Sequence, residues 1–165
     1  MNRIYILCVD DEAEGLEAIE RDLRSFDDHF PVETAQSAKE ARQWCRELEA
    51  QGDRVGLVLT DHLMPEETGV DLLVSLDQIP TAAQARKVLL TGQAGQEDTI
   101  QALNQGGLHY YIAKPWSGEA LQEVVRDQLT SFVLDATDDP MAYMAILDGA
   151  KIAEALHRKG GLSDH

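Results

Sequence analysis

The feature that most constrains this chain is a regular alternation of short apolar segments with longer amphipathic ones. The short segments are rich in Val, Ile, Leu and Tyr and are apolar on both faces, which is typical of strands buried inside a parallel sheet. In the longer segments apolar residues recur at helical spacing, as in helices with one buried face. The predicted strands are 4–9, 31–35, 55–60, 87–91 and 108–113, and the predicted helices are 12–26, 37–48, 70–76, 96–105 and 117–132.

The order of these elements predicts the fold class. Strands and helices alternate along the chain, and the connection between parallel neighbouring strands is almost always right-handed. Such a chain is expected to form an α/β fold, a doubly wound parallel sheet with helices on both faces. Sheets of this kind bind ligands beyond the carboxyl ends of their strands, so the residues that follow each strand are the first candidates for a functional site.

Charged and hydroxyl side chains stand at the ends of four predicted strands. Asp10 and Asp11 follow the first strand, and Asp61 follows the third. Thr91 ends the fourth strand, and Lys114 follows the fifth. Taken one at a time, these residues have ordinary interpretations as a helix cap, a turn residue, a strand end or a lysine that reaches solvent. We expect them to converge on one edge of the sheet, and their combination is what indicates a site.

The chemistry of that combination favours phosphoryl transfer. Three aspartates held close together repel one another, and a hard divalent cation such as Mg²⁺ relieves the repulsion while leaving room for phosphate oxygens. With a cation on one side and Lys114 on the other, Asp61 is suited to act as a carboxylate nucleophile that forms an acyl phosphate. The metal and Lys114 would neutralise charge on the phosphoryl oxygens, to which Thr91 would donate its hydroxyl hydrogen.

Residues 1–133 resemble the receiver domain of two-component response regulators. The motifs that carry the resemblance are VDDE after the first strand, LTDHLMP around Asp61, LLTG at the end of the fourth strand, and YYIAKPW at the end of the fifth. The resemblance implies a flavodoxin-like fold, a five-stranded parallel sheet with strand order 2-1-3-4-5. It also implies a signalling module that catalyses only its own Mg²⁺-dependent phosphorylation and dephosphorylation.

The resemblance assigns roles to the acidic residues and their neighbours. Asp61 would be the phosphoacceptor, Asp11 a direct Mg²⁺ ligand, and Asp10 a second acid that acts through water. The backbone carbonyl of Leu63 would complete the metal shell. The side chain of Leu63, together with Gln93, is expected to tune the lifetime of the aspartyl phosphate, because both should lie near the attacking water.

A second set of residues would form the switch. Thr91 is expected to supply the switch hydroxyl and Tyr111 the switch aromatic ring. Lys114 would pair with the phosphoryl group or with Asp61, and the bond between Lys114 and Pro115 is expected to be cis. Trp116 follows that turn, and it would either pack against the domain or bind a partner.

The resemblance also implies partners. The phosphodonor would be a phosphohistidine on a histidine kinase or phosphotransfer protein, or a small acyl phosphate. The switch would alter the surface formed by the fourth predicted helix, the fifth strand and the fifth predicted helix, for binding a downstream protein or for homodimerisation. Two alternatives are a degenerate receiver that binds proteins without being phosphorylated, and the N-terminal receiver of a longer regulator. A phosphatase of another family is disfavoured because Leu63 stands where such an enzyme would carry its acid.

The amino-acid composition limits the classes of binding partner and the cellular compartment that we expect for the chain. The net charge of −16 disfavours nucleic acid and anionic lipid as partners. No apolar run reaches the roughly 20 residues that a membrane span requires, and the first residues do not form a signal peptide. Cys8 and Cys45 are expected to be reduced, buried thiols. A cytoplasmic location follows as an expectation.

The last part of the chain, residues 134–165, is predicted to be a helical extension of the receiver. A polar break ends in Pro140, and residues 141–158 then follow a helical pattern with Asp148 in the middle of its apolar stripe. Two interpretations are open. The helix would either dock on its own domain or form a dimerisation or partner contact.

Overall fold

The computed structural model describes residues 2–92 and 107–163 of the chain, the last four by their backbone alone. Its strands form one five-stranded parallel sheet in the order β2-β1-β3-β4-β5, which confirms the predicted fold and strand order. The predicted helix at 96–105 and Gln93 lie outside the described residues. The strands are β1 (Ile4–Val9), β2 (Val32–Ala35), β3 (Arg54–Asp61), β4 (Arg86–Thr91) and β5 (Tyr110–Ala113). The helices are α1 (Ala13–Asp22), α2 (Ala38–Glu47), α3 (Gly69–Leu76), the long helix (Gly118–Ala136) and the terminal helix (Gly149–Ser163).

The sheet separates two hydrophobic cores. Successive side chains of a strand point to opposite faces, so Leu57 and Leu59 of β3 join the core under α1 and the long helix, whereas Val58 joins the core under α2 and α3. β3 is buried along nearly its whole length. Burial on both faces is the reason that its sequence is continuously apolar rather than alternating.

Hydroxyl side chains cap the first turns of three of the helices. Ser37 accepts a hydrogen bond from the Glu40 backbone N–H at the start of α2. Thr68 does the same for α3, and Ser117 does so for the long helix. Each hydroxyl satisfies one of the backbone donors that the first turn of a helix leaves without an intrahelical partner.

The first helix is shorter than its apolar pattern indicates. The sequence predicts a helix through residue 26, but α1 ends at Asp22 and the chain continues as a 3₁₀ turn, Arg24–Phe26. Leu23 and Phe26 are nevertheless completely buried in the first core. Spacing of three to four residues is shared by α-helical and 3₁₀ turns, so burial continues while the helix type changes.

The amino end of β5 also differs from the prediction. The sequence predicts a strand from residue 108, but regular pairing with β4 begins at Tyr110. His109 accounts for the difference, because its imidazole Nδ1 accepts the Lys87 backbone N–H at 2.9 Å in place of a backbone carbonyl. The His109 backbone N–H donates to the Lys87 carbonyl at 2.8 Å. The ammonium group of Lys87 is buried and pairs with Asp77.

This arrangement predicts a loss of stability in weak acid. Burial lowers the pKa of His109 to about 4, helped by the charges of Arg86 and Lys87 and opposed by Asp135 and Asp77. The imidazole of His109 is protonated near pH 6.5 in the unfolded chain, but only near pH 4 in the folded protein. The free energy of unfolding therefore falls as the pH decreases between these values. The ring is partly exposed, so we expect a loss on the order of 1 kcal/mol.

Urea unfolding at about pH 7.5 and about pH 5.5 measures the effect, since most carboxylates stay ionised at both. The control is His109→Asn, which keeps an acceptor near the position of Nδ1 and does not titrate. The variant should lose less stability than the parent over this interval. Equal losses in the two proteins would show that His109 is not responsible.

The extension contains a break where the sequence predicts one helix. Pro140–Tyr143 forms a 3₁₀ turn, and the terminal helix begins only at Gly149. Asp148 explains the break, because its carboxylate accepts the Lys151 backbone N–H at 3.1 Å and thereby caps the terminal helix. The predicted helix over 141–158 is therefore wrong in its first half, and the acid in the apolar stripe is a cap.

The extension docks on its own domain. Leu147 and Ile152 are buried in the first core, and Tyr143 stacks on Phe30 with ring centroids 5.1 Å apart. The Asp148 backbone N–H donates to the buried hydroxyl of Thr130 in the long helix at 3.1 Å. These contacts support the interpretation of a docked helix. The boundary predicted between residues 133 and 134 lies inside the long helix.

The two cysteines are free and buried, as the sequence predicts. Burial raises the pKa of Cys45 to about 12 and raises the pKa of Cys8 as well. Both thiols are therefore protonated and unreactive in the folded protein. In the part of the chain that the structure describes, no helix combines the length and the apolar character needed to cross a membrane.

Candidate functional site

Three aspartates meet at the carboxyl edge of the sheet. Val9 pairs with Thr60 in the ladder between β1 and β3, so Asp10 and Asp61, the residues that follow them, lie side by side. Asp11 extends from the same turn as Asp10. Within the described residues, these three form a group in which one carboxylate oxygen of each residue lies within 4.8 Å of one oxygen of each of the other two. The predicted convergence of the strand ends therefore occurs.

The pKa of Asp10 is raised above its ordinary value. Burial raises its pKa, and the nearby charges of Asp61 and Asp11 raise it further. Two interactions act in the opposite direction: a hydrogen bond from the Glu12 backbone N–H to Asp10 Oδ1 at 3.0 Å, and the charge of Lys114. The N-cap position of α1 is Glu12, so Asp10 is not a simple helix cap. A buried acid among like charges is an arrangement that a bound cation would stabilise.

Lys114 reaches the same edge from β5. Its ammonium nitrogen lies 3.2 Å from Oδ1 of Asp61, whose side chain is 12% exposed. The Lys114 backbone N–H donates to the Thr91 carbonyl at 3.0 Å, which ties the end of β5 to the end of β4. The bond between Lys114 and Pro115 is cis, as expected from the sequence. Lysine and aspartate therefore form an ion pair across the strand ends.

The backbone around Asp61 is fixed by its neighbours. The Thr60 hydroxyl donates to the Asp61 carbonyl at 2.9 Å, and the Gly69 backbone N–H donates to the His62 carbonyl at 2.8 Å. A Cβ atom on Gly69 would lie 2.2 Å from the Asp61 carbonyl oxygen, so only glycine fits at the start of α3. This contact holds the strand end that carries Asp61 against α3.

The remaining predicted residues occupy different environments. Thr91 is buried at the end of β4, and Tyr111 is half-buried against the second core. The side chain of Leu63 is 60% exposed to solvent. Trp116 packs against the first core, which favours the packing interpretation of that residue.

The donor atoms suit one class of metal. The three aspartates offer only oxygen ligands, with no cysteine or histidine among them. Hard cations such as Mg²⁺ prefer such donors and bind through one or two carboxylates together with waters and phosphate oxygens. Asp11 is exposed and Asp10 is buried, so an ion at this edge would be open to solvent on one side. The cluster thus fits Mg²⁺ by its chemistry.

Sequence reasoning missed the glycines that shape this site. The ends of the strands indicate Asp61 and Lys114, but they do not indicate Gly15 in α1 or Gly69 in α3. Each lies in the first turn of a helix, where glycine is less favourable than alanine. A glycine at such a position, despite its low helix propensity, is the signal that another group lies in close contact with the helix.

Known proteins share both this sequence pattern and this fold. The family model of the response regulator receiver domain matches residues 6–126. The hydrogenase transcriptional regulatory protein HoxA of Bradyrhizobium diazoefficiens is 33% identical over 130 residues, which make up 78% of this chain and 24% of HoxA. The chain therefore spans about a quarter of that relative's length. A chemotaxis protein CheY homolog of Campylobacter jejuni is 28% identical over 124 residues, which make up 75% of this chain and 91% of the homolog.

A solved structure agrees with the sequence match. The receiver domain protein (CheY-like) from Methanospirillum hungatei JF-1 superimposes with a TM-score of 0.70 at 25% identity, over 82% of this chain and 100% of that protein. The match to the family model covers most of the chain, and the strand order is that of the fold. The chain therefore belongs to the response regulator receiver domain family and is a signalling module of two-component systems.

Proposed function

We propose that this receiver is a phosphorylation-dependent switch in which Asp61 accepts the phosphoryl group. The observation that carries the proposal is the ion pair between Lys114 and Asp61 beside the carboxylates of Asp10 and Asp11. A degenerate receiver gains nothing from three close carboxylates, because their mutual repulsion destabilises the fold unless a bound cation offsets it.

Asp10, Asp11 and Asp61 would hold a Mg²⁺ ion, with the backbone carbonyl of Leu63 as a further ligand. The ion, when bound, supplies positive charge that offsets the negative charge of the phosphoryl oxygens. The fit rests on the oxygen-only donor set and on the burial that raises the pKa of Asp10. A cation at this position would favour the ionised form of Asp10 and relieve its repulsion from Asp61.

The side chains then have distinct roles in transfer. A carboxylate oxygen of Asp61 attacks the phosphorus of a phosphohistidine, and the P–N bond breaks with its electron pair returning to the imidazole of the donor. Lys114 attracts the oxygens of the transferring group, because its ammonium already lies 3.2 Å from Asp61 Oδ1. The product is an acyl phosphate on Asp61, and the hydroxyl of Thr91 donates to one of its oxygens.

The phosphoryl group would be sensed through the ends of β4 and β5. Movement of the Thr91 hydroxyl toward the phosphate would leave space for the ring of Tyr111, which packs half-buried against the second core. The change would reach the surface that includes β5 and the long helix. Leu63 and Gln93 would tune the lifetime of the phosphoryl group through access of water to Asp61.

The partners follow from this chemistry. A histidine kinase or phosphotransfer protein would supply the phosphoryl group, and a downstream protein or a second copy of the chain would bind the altered surface. Nucleic acid and membrane are not proposed as direct partners, because the net charge of −16 disfavours binding to either anionic surface. The proposed location is cytoplasmic. Since the matched region is 24% of the length of HoxA, a receiver of a longer regulator is an equally consistent context.

A single assay separates the switch from the degenerate module. The chain is incubated with a small acyl phosphate in the presence of Mg²⁺ or of a chelator, and its intact mass is followed. We expect a gain of one phosphoryl group that requires Mg²⁺ and is reversed by mild alkali. The degenerate module predicts an unchanged mass under both conditions.

A further inference from the structure

Gly15 lies directly against the metal-binding edge of the site. It is the third residue of α1, and a Cβ atom at this position would lie 2.6 Å from Oδ2 of Asp10. Its backbone does not require glycine, because Gly15 is not among the residues with a positive φ. The reason for glycine is therefore the space that Asp10 occupies, and not the conformation of the helix.

The carboxylate of Asp10 has little freedom to move away. Its Oδ1 accepts the Glu12 backbone N–H at 3.0 Å, and the whole residue is 5% exposed. The Asp10 backbone N–H donates to the Ala35 carbonyl at 3.1 Å, which fixes the chain from which the side chain extends. A methyl group on residue 15 would therefore push Oδ2 out of its position or break the contact with Glu12.

We propose that Gly15 is a positioning residue for the metal site, because its missing side chain lets Asp10 direct its carboxylate toward Asp11 and Asp61. This inference rests on the proposed function, since it assigns to the acidic cluster the binding of Mg²⁺. Glycine in a helix normally lowers stability relative to alanine. Gly15 therefore destabilises α1, but it leaves the space in which the Asp10 carboxylate lies.

The matched control is Gly118, the first residue of the long helix. A Cβ atom there would lie 3.0 Å from Oδ1 of Asp22, a carboxylate outside the acidic cluster. Gly118→Ala thus introduces the same methyl group, in the first turn of a helix and beside a carboxylate, but away from the site. It separates the effect of a new methyl group from an effect on Asp10.

Two measurements on the full chain test the proposal. Calorimetric titration with Mg²⁺ alone should show affinity weakened about 10-fold in Gly15→Ala and unchanged in Gly118→Ala. Thermal unfolding without metal should show that Gly15→Ala raises the Tm by about 2–4 °C when Asp10 is also replaced by Ala, because the propensity gain is then unopposed. With Asp10 intact, the gain should be absent.

The outcomes are distinguishable. Unchanged Mg²⁺ affinity in Gly15→Ala, together with the same rise in Tm whether Asp10 is present or replaced, would overturn the positioning role. If the unaltered protein itself binds no Mg²⁺, the metal assignment of the proposed function fails, and the thermal comparison alone still decides whether Gly15 acts through Asp10.

Discussion

Replacing Asp61 with Asn is expected to abolish phosphoryl incorporation completely while leaving the protein folded. An amide has no anionic oxygen to attack phosphorus, so the nucleophile is lost. The free energy of unfolding should stay within about 1 kcal/mol of the parent, because losing the partly exposed ion pair with Lys114 and losing the repulsion from Asp10 oppose each other. Intact mass after incubation with an acyl phosphate and Mg²⁺ measures incorporation, and urea unfolding measures stability.

Asp53→Asn provides the matched control for that experiment. Asp53 is also a buried aspartate, but it lies just before β3, at the opposite end of the strand from Asp61, and its carboxylate accepts the Arg3 backbone N–H at 2.8 Å. This variant should keep full incorporation. If Asp61→Asn still gained a phosphoryl group at the parental rate, another residue would be the acceptor.

Ile152→Ala in the terminal helix is expected to destabilise the domain by about 2–5 kcal/mol. Ile152 is completely buried in the same core as Phe132 of the long helix, so its truncation leaves a cavity. Met141→Ala removes a side chain of similar size that is 61% exposed, so this variant should be destabilised much less. The free energy of unfolding in urea, measured at two protein concentrations, tests the comparison.

Comparing the two protein concentrations distinguishes a helix that docks on its own domain from a helix that forms a dimer contact. If the helix docks within its own chain, Ile152→Ala should lower the free energy of unfolding strongly, and by the same amount at both protein concentrations. A helix that packs mainly against a second copy predicts stability that rises with concentration. Equal and small effects of Ile152→Ala and Met141→Ala would show that the extension is not part of the core.

Elements that depend on one strong local signal were predictable from the sequence. Strand β1 matches its predicted bounds because continuous apolar residues are buried on both faces. The positions of Asp61 and Lys114 followed from topology alone, because parallel strands end at one edge and strand-end residues must converge there. The motif resemblance then indicated which carboxylate accepts the phosphoryl group, and that role stays a proposal.

Features that depend on tertiary contacts were not predictable in the same way. Asp148 looked like an acid in an apolar stripe, yet it caps a helix whose start is set by the contact with Thr130. The imidazole of His109 replaces a backbone acceptor at the start of the β4–β5 ladder, which no periodicity reveals. The space that Gly15 leaves for Asp10 depends on how α1 sits over the end of β1.

The central claim is that the acidic edge of the sheet is a Mg²⁺-dependent phosphoacceptor site. Its most direct test is to locate the phosphoryl group. The chain is treated with an acyl phosphate and Mg²⁺, the adduct is reduced with borohydride to convert an aspartyl phosphate to homoserine, and the peptides are sequenced by mass spectrometry. We predict homoserine at position 61, formed only when Mg²⁺ is present. Unmodified Asp61, or homoserine at another aspartate, would contradict the claim.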